Sequence, residues 1–216
     1  MSQIKEKNFY LNNYIYVDKT QYIRDLIKLE RVFISRPRRF GKSLTLDTIA
    51  TLFETGVEPY FKGTWIYDKW TEPTYPVLRL NFLNFDKNSL EKFNNKLNSK
   101  ITEFAELNDV TTYKEKEEAE DSIDHLLEQL RLENRQIVIL IDEYDCQMTA
   151  NINNETLYKQ FQEKIKSFYA TIKNKWAIKF LGITGVTRLK DVEIFSIGSD
   201  INDITNDSAY SQMIGF

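Results

Sequence analysis

The sequence predicts an α/β domain built on a mostly parallel sheet, and three observations lead there. Residues 31–35, Arg-Val-Phe-Ile-Ser, form a short apolar run that enters a tight loop ending in Gly41-Lys42-Ser43, and a helical pattern comes next. Residues 137–141, Ile-Val-Ile-Leu-Ile, are five consecutive aliphatic residues that end on Asp142 and Glu143. Such unbroken runs mark strands buried on both faces, as in parallel sheets. Between them lie stretches with apolar residues at helical spacing. The chain has 216 residues, enough for one α/β domain with a substantial core.

Taken in order, residues 21–30 read as an amphipathic helix, with Tyr22, Ile23, Leu26, Ile27 and Leu29 apolar and Asp18 or Thr20 placed to cap it. The first strand is 31–35. The loop after it runs Arg36, Pro37, Arg38, Arg39, Phe40, Gly41, Lys42, Ser43, and Leu44 opens a helix reaching Phe53. Strand, tight loop, Gly-Lys-Ser and helix form the setting of a phosphate-binding loop. Backbone N–H groups of the loop and first helical turn face the phosphates, and the helix dipole favours an anion there. Lys42 is placed to reach the β- and γ-phosphates, and the Ser43 hydroxyl to hold Mg²⁺.

The usual pattern has glycine five residues before Gly41, where this chain has Arg36. Pro37 removes one backbone donor and biases Arg36 to extended geometry. The loop is therefore expected to enter extended and to turn only near residues 38–40. Arg38 or Arg39 is the alternative source of charge for phosphate; both also suit a solvated surface.

The stretch 56–75 is rich in turns and aromatics and reads as a long connection packed against the domain. Residues 76–82 form a second strand, and 90–107 a helix with Leu90, Phe93, Leu97, Ile101 and Phe104 on one face. The charged run 114–121 reads as a solvated helix start leading into Ile123, Leu126, Leu127, Leu130 and Leu132. His125 is the single histidine and cannot build a zinc site by itself.

At the end of the 137–141 strand, desolvated acids need compensation. Mg²⁺ near Asp142, with Glu143 polarising water, meets that need where ligands bind in parallel sheets. Asp145 either assists them or caps the next segment. Residues 154–173 form another helix, and 176–183 a strand whose tip, Thr184, fits a γ-phosphate sensor. Arg188 nearby suits either an arginine finger or an ordinary loop arginine. Residues 201–205 read as a short last strand.

Composition bounds the function classes. The formal net charge is −3, so no global basic footprint points to nucleic acid. A local basic cluster from Arg24 to Lys42 suits phosphate and leaves a nucleic-acid backbone open. Cys146 is the single cysteine, which excludes a disulfide framework and fits a cytoplasmic setting. No apolar run reaches membrane-spanning length.

YVDKT at 16–20, FISRPRRFGKSLTLDTIATLFE at 33–54, ILIDEYD at 139–145 and ITGVTRLKDVEIFS at 183–196 together resemble the predicted AAA-ATPase-like family of bacteria and their mobile elements. The resemblance covers essentially the whole chain and makes Arg36 a family trait. It implies a P-loop NTPase with a five-stranded sheet in the order 5-1-4-3-2, helices on both faces, and a catalytic glutamate. Members often carry a C-terminal nuclease-like domain. The expectation for residues 1–216 is a single ATP-binding domain without that domain or a helical lid, and Mg²⁺-dependent hydrolysis as its activity. The expected ligands are ATP or ADP, and a protein partner or second copy is open. The rivals are a nucleotide-binding switch regulating a partner and a nucleic-acid-processing component.

Overall fold

The computed structural model describes residues 17–187 and 200–214. The elements run α1 (Thr20–Leu26), β1 (Arg31–Ser35), α2 (Lys42–Thr55), β2 (Val77–Asn81), α3 (Leu90–Leu107), α4 (Ala119–Leu132), β3 (Ile137–Asp142), α5 (Cys146–Ala150), α6 (Glu155–Ile172), β4 (Ile178–Gly185) and β5 (Asn202–Asp203). The strands make one five-stranded sheet in the order β2-β3-β4-β1-β5. Counted from the β5 edge, the same sheet runs 5-1-4-3-2. Every pair is parallel. Ile34 lies beside Thr184, Ile141 beside Ile183, and Asn81 beside Asp142. The carboxyl ends of β1, β3 and β4 are thus level, and the segments leaving those strands meet at one rim.

Side chains alternate across the strands. Phe33, Ile137, Ile139, Ile141, Leu181 and Ile183 pack under α3, α4 and α6, among Phe93, Leu97, Ile123, Leu126, Phe161 and Phe168. Val32, Ile34, Val138, Leu140 and Phe180 face α1 and α2, against Leu26, Ile49, Leu52 and Phe53. Both faces are covered, which is why β3 reads as an unbroken apolar run. Each such side chain contributes roughly 1.5–3 kcal/mol by leaving water.

The helices have recognisable starts. Ser89 accepts from Lys92 N and Asn154 from Leu157 N, so each side chain satisfies one orphan N–H. The first helix ends earlier than its periodicity predicts. After Leu26 the chain tightens into a 3₁₀ turn, Ile27–Leu29, and Glu30 takes φ 59°. The chain must reverse there to enter β1, and that geometry overrides the apolar spacing. Asp18 accepts from Thr20 N, Thr20 Oγ1 and Trp65 N, while Ile66 N donates to Thr20 Oγ1. These two residues therefore pin the aromatic connection as well as the start of α1. The connection packs as expected, with Phe61 and Ile66 buried and Trp70 and Tyr75 edge-on to Phe53.

The charged run after residue 113 is exposed from Lys114 to Glu118, as its composition predicts, but it is not yet helical. Helix α4 begins only at Ala119, and the carbonyls of Lys116 and Glu117 accept from Asn98, with Asn94 also donating to Glu117. Lys164 of α6, only 8% exposed, donates to Asn94, Glu118 and Glu120 and so ties α6 to α3 and to the start of α4. On the other face Arg79 of β2 makes a bidentate pair with Glu54 and a third bond to Asp47, both on α2.

Candidate functional site

The loop between β1 and α2 turns where its sequence predicts. The chain leaves Ser35 without regular structure, bends at 38–39, and takes φ 69° at Arg39 and φ 86° at Gly41. Gly41 is the N-cap of α2, and its positive φ costs glycine little. Its carbonyl accepts from Thr45 N and the Thr45 hydroxyl. The helix starts at Lys42, so the N–H groups of its first turn point into the loop.

Lys42 is buried, with its ammonium at 2.9 Å from the Arg36 carbonyl and 3.2 Å from the Pro37 carbonyl. Glu143 Oε1 lies 3.7 Å from the same nitrogen. Ser43 Oγ donates to Asp142 Oδ2 at 2.6 Å, and Thr184 Oγ1 donates to Asp142 Oδ1. Asp142 is thus held by hydroxyls from α2 and β4, which satisfies a carboxylate that is only 7% exposed. Residues 99 and 42 positions apart in sequence converge on one carboxylate.

Glu143 sits at φ 54°, a left-handed conformation that is uncommon for a residue with a Cβ. It is partly exposed, unlike its neighbours Asp142 and Tyr144. The kink sets Glu143 apart from Asp142: one acid is embedded between two hydroxyls and the other reaches the lysine.

Arg36 is placed apart from Lys42 and Ser43. Its guanidinium is held by the carbonyls of Ser35 and Thr205, on the β5 side of the sheet. Arg38, Arg39 and Phe40 are exposed, and Leu44 packs with the α2 core. Arg188 lies outside the described residues.

A cavity of about 400 Å³ adjoins Ser43 and Asp142 and extends past Asn81 and Asn84 toward Lys96 and Lys100 of α3. It gives the Ser43–Asp142 pair an open side. Among the described residues no group of three or more His, Cys, Asp or Glu side chains could hold a metal by itself. One carboxylate and one hydroxyl are the donor set for an ion that keeps waters and takes its remaining ligands from a phosphate, which is how Mg²⁺ is commonly bound. Ser43 and Asp142 fit that role.

Sequence reasoning assigned no role to Thr205 or Tyr144 at this rim, and it gave Asp145 only the alternatives of assisting the acid pair or capping the next segment. Thr205 connects β5 to the loop by accepting from Ser35 N at 2.9 Å. Tyr144 and Asp145 join the ends of β3 and β4, through Tyr144 N to the Thr184 carbonyl and through the Asp145 carboxylate to backbone N–H groups beyond Gly185. The third acid in the Asp-Glu-Tyr-Asp stretch signals Asp145, and that signal does not say what it touches.

The family described as "Predicted AAA-ATPase" matches residues 5–195. The chain is also 33% identical over 214 residues to an "Uncharacterized protein in vnfD 5'region" of Azotobacter chroococcum mcd 1. That match covers 95% of this chain and 40% of the relative. No solved structure matches the chain. No helix of the described residues is long and apolar enough to cross a membrane.

Proposed function

Because the chain belongs to the predicted AAA-ATPase family, we propose that it binds ATP between β1 and α2 and hydrolyses it with Mg²⁺. The supporting observation is the meeting of Lys42, Ser43, Asp142, Glu143 and Thr184 at the level ends of three parallel strands. Lys42 exchanges two loop carbonyls for phosphate oxygens, a charge-assisted replacement that favours the anion. The N–H groups opening α2 hold the phosphates. Mg²⁺ at Ser43 and Asp142 would offset phosphate charge.

Glu143 is the base in this reading. It accepts a proton from water as the water oxygen bonds to the γ-phosphorus and the bond from that phosphorus to the bridging oxygen breaks. ADP leaves with the bridging oxygen. Thr184 reads the γ-phosphate through its bond to Asp142. Arg188, four residues beyond Thr184, is the candidate cation for transition-state charge.

A nucleotide-binding switch is favoured by one observation, the 3.7 Å approach of Lys42 to Glu143. A carboxylate oriented toward the phosphate lysine turns to a water only once nucleotide draws that lysine away. Glu143→Gln separates the two readings. ATP binding should persist while turnover falls by about a hundredfold or more, the range for a positioned general base. Unchanged turnover would mean that another group activates water. A wild-type protein that binds ATP without turnover would favour the switch.

A further inference from the structure

Asp145 is only 1% exposed, yet it is the N-cap of α5 without making any side-chain capping bond. Its carboxylate turns instead to the strand beside it. Oδ2 accepts from Thr187 N at 2.6 Å, and Val186 N lies 3.2 Å from each oxygen. Among the described residues no cation pairs with it. Its partners among the described residues are backbone N–H groups, which are directional and fixed.

Neighbouring contacts repeat the connection. Tyr144 N donates to the Thr184 carbonyl at 3.0 Å, and the Tyr144 hydroxyl donates to the Thr187 carbonyl at 3.0 Å. Gly185 lies between these bonds. A Cβ there would run into the Tyr144 ring and come within 2.7 Å of Asp145 Oδ1, so only glycine fits. The clamp also reaches β1: Ser35 Oγ donates to the Val186 carbonyl at 2.7 Å, and Arg36 N donates to the Gly185 carbonyl at 3.2 Å. Residues 184–187 are therefore gripped from β3 on one side and from the phosphate-loop strand on the other.

We infer that Asp145 is a positioning residue that fixes Thr184 relative to Glu143 and so sets the distance between γ-phosphate sensing and water activation. The inference rests on the hydrolytic reading proposed above. The Asp145 carboxylate touches no reacting atom. It acts by holding the 186–187 backbone, on the strand end that carries Thr184, against the β3 end that carries Glu143. Small misplacements of catalytic groups have large kinetic effects, and a shift of about 1 Å can cost about a hundredfold in rate.

The test uses the whole 216-residue chain and two graded variants, Asp145→Asn and Asp145→Ala. Asparagine keeps one acceptor oxygen, and alanine keeps none. Turnover should fall in the order wild type, asparagine, alanine, by about tenfold or more for alanine. The dissociation constant for a slowly hydrolysed ATP analogue should stay within about threefold, because the phosphate loop is untouched. Amide exchange followed by NMR should speed up at Val186 and Thr187 and stay unchanged within β3. If Asp145→Ala does not fold, Tyr144→Phe removes one bond of the same clamp with little loss of volume. Unchanged turnover despite faster exchange at 186 and 187 would overturn the inference. So would turnover and affinity falling together with melting temperature, the mark of general destabilisation. A wild-type protein without turnover would contradict the hydrolytic reading instead. The clamp is then judged by amide exchange, and exchange at Val186 and Thr187 unmoved by Asp145→Ala overturns it.

Discussion

Arg36 stands where the common phosphate loop has glycine, and its guanidinium is held by carbonyls at the β1–β5 junction. This placement has two effects on single residues. The loop needs no positive φ at position 36, because the reversal is made at Arg39 and Gly41. Any arginine contribution to phosphate from this loop must then come from Arg38 or Arg39, both exposed. Replacing both with alanine should weaken ATP more than ADP, since the γ-phosphate adds the extra charge, and calorimetric titration of the two nucleotides measures the difference. Equal loss would put the arginines on the α- or β-phosphate. No loss would turn them toward solvent or a partner. The bend near residues 38–40 was legible because Pro37 restricts the local alternatives. The destination of the Arg36 side chain was not, because its partner Thr205 is 169 residues away and nothing local points to it.

Among the elements, β1, α2 and β3 were legible for a shared reason: each is a run with one dominant pattern. Helix α3 matches its periodicity to the residue, with Ser89 as its cap. Where competing constraints act, the pattern misleads. Helix α1 stops at Leu26 although its apolar spacing continues, because the chain must turn into β1. Helix α5 has five residues, too few for a periodic signal. The Lys164 cluster was hidden as well, since a lysine on an otherwise amphipathic helix reads as surface. In the fold, Lys164 is buried against Asn94, Glu118 and Glu120. Lys164→Ala should destabilise by about 3 kcal/mol or more, because it leaves acidic groups at the start of α4 without their buried cation. Chemical denaturation should show a lower midpoint with an unchanged slope. A loss below about 0.5 kcal/mol would mean that the cluster behaves as an exposed ion pair.

At the scale of the whole molecule, the parallel sheet does one thing for function: it brings the ends of β1, β3 and β4 to the same level. Lys42 and Ser43, Asp142 and Glu143, and Thr184 come from three separate parts of the chain and meet there. Each group is visible in the sequence, and register is what brings them together. The match to the predicted AAA-ATPase family spans residues 5–195 and includes all of these groups. The chain spans about 40% of the length of its Azotobacter relative.

In the proposed function the Lys42 ammonium, bonded here to the carbonyls of Arg36 and Pro37, is the phosphate anchor. Isothermal titration of ATP with Mg²⁺ into wild type and Lys42→Ala tests it most directly, with circular dichroism as the check on folding. Binding to wild type should be saturable, and the variant should lose about a hundredfold or more in affinity, the scale of removing a charge-assisted contact in a buried site. Equal affinity in two folded proteins would contradict it.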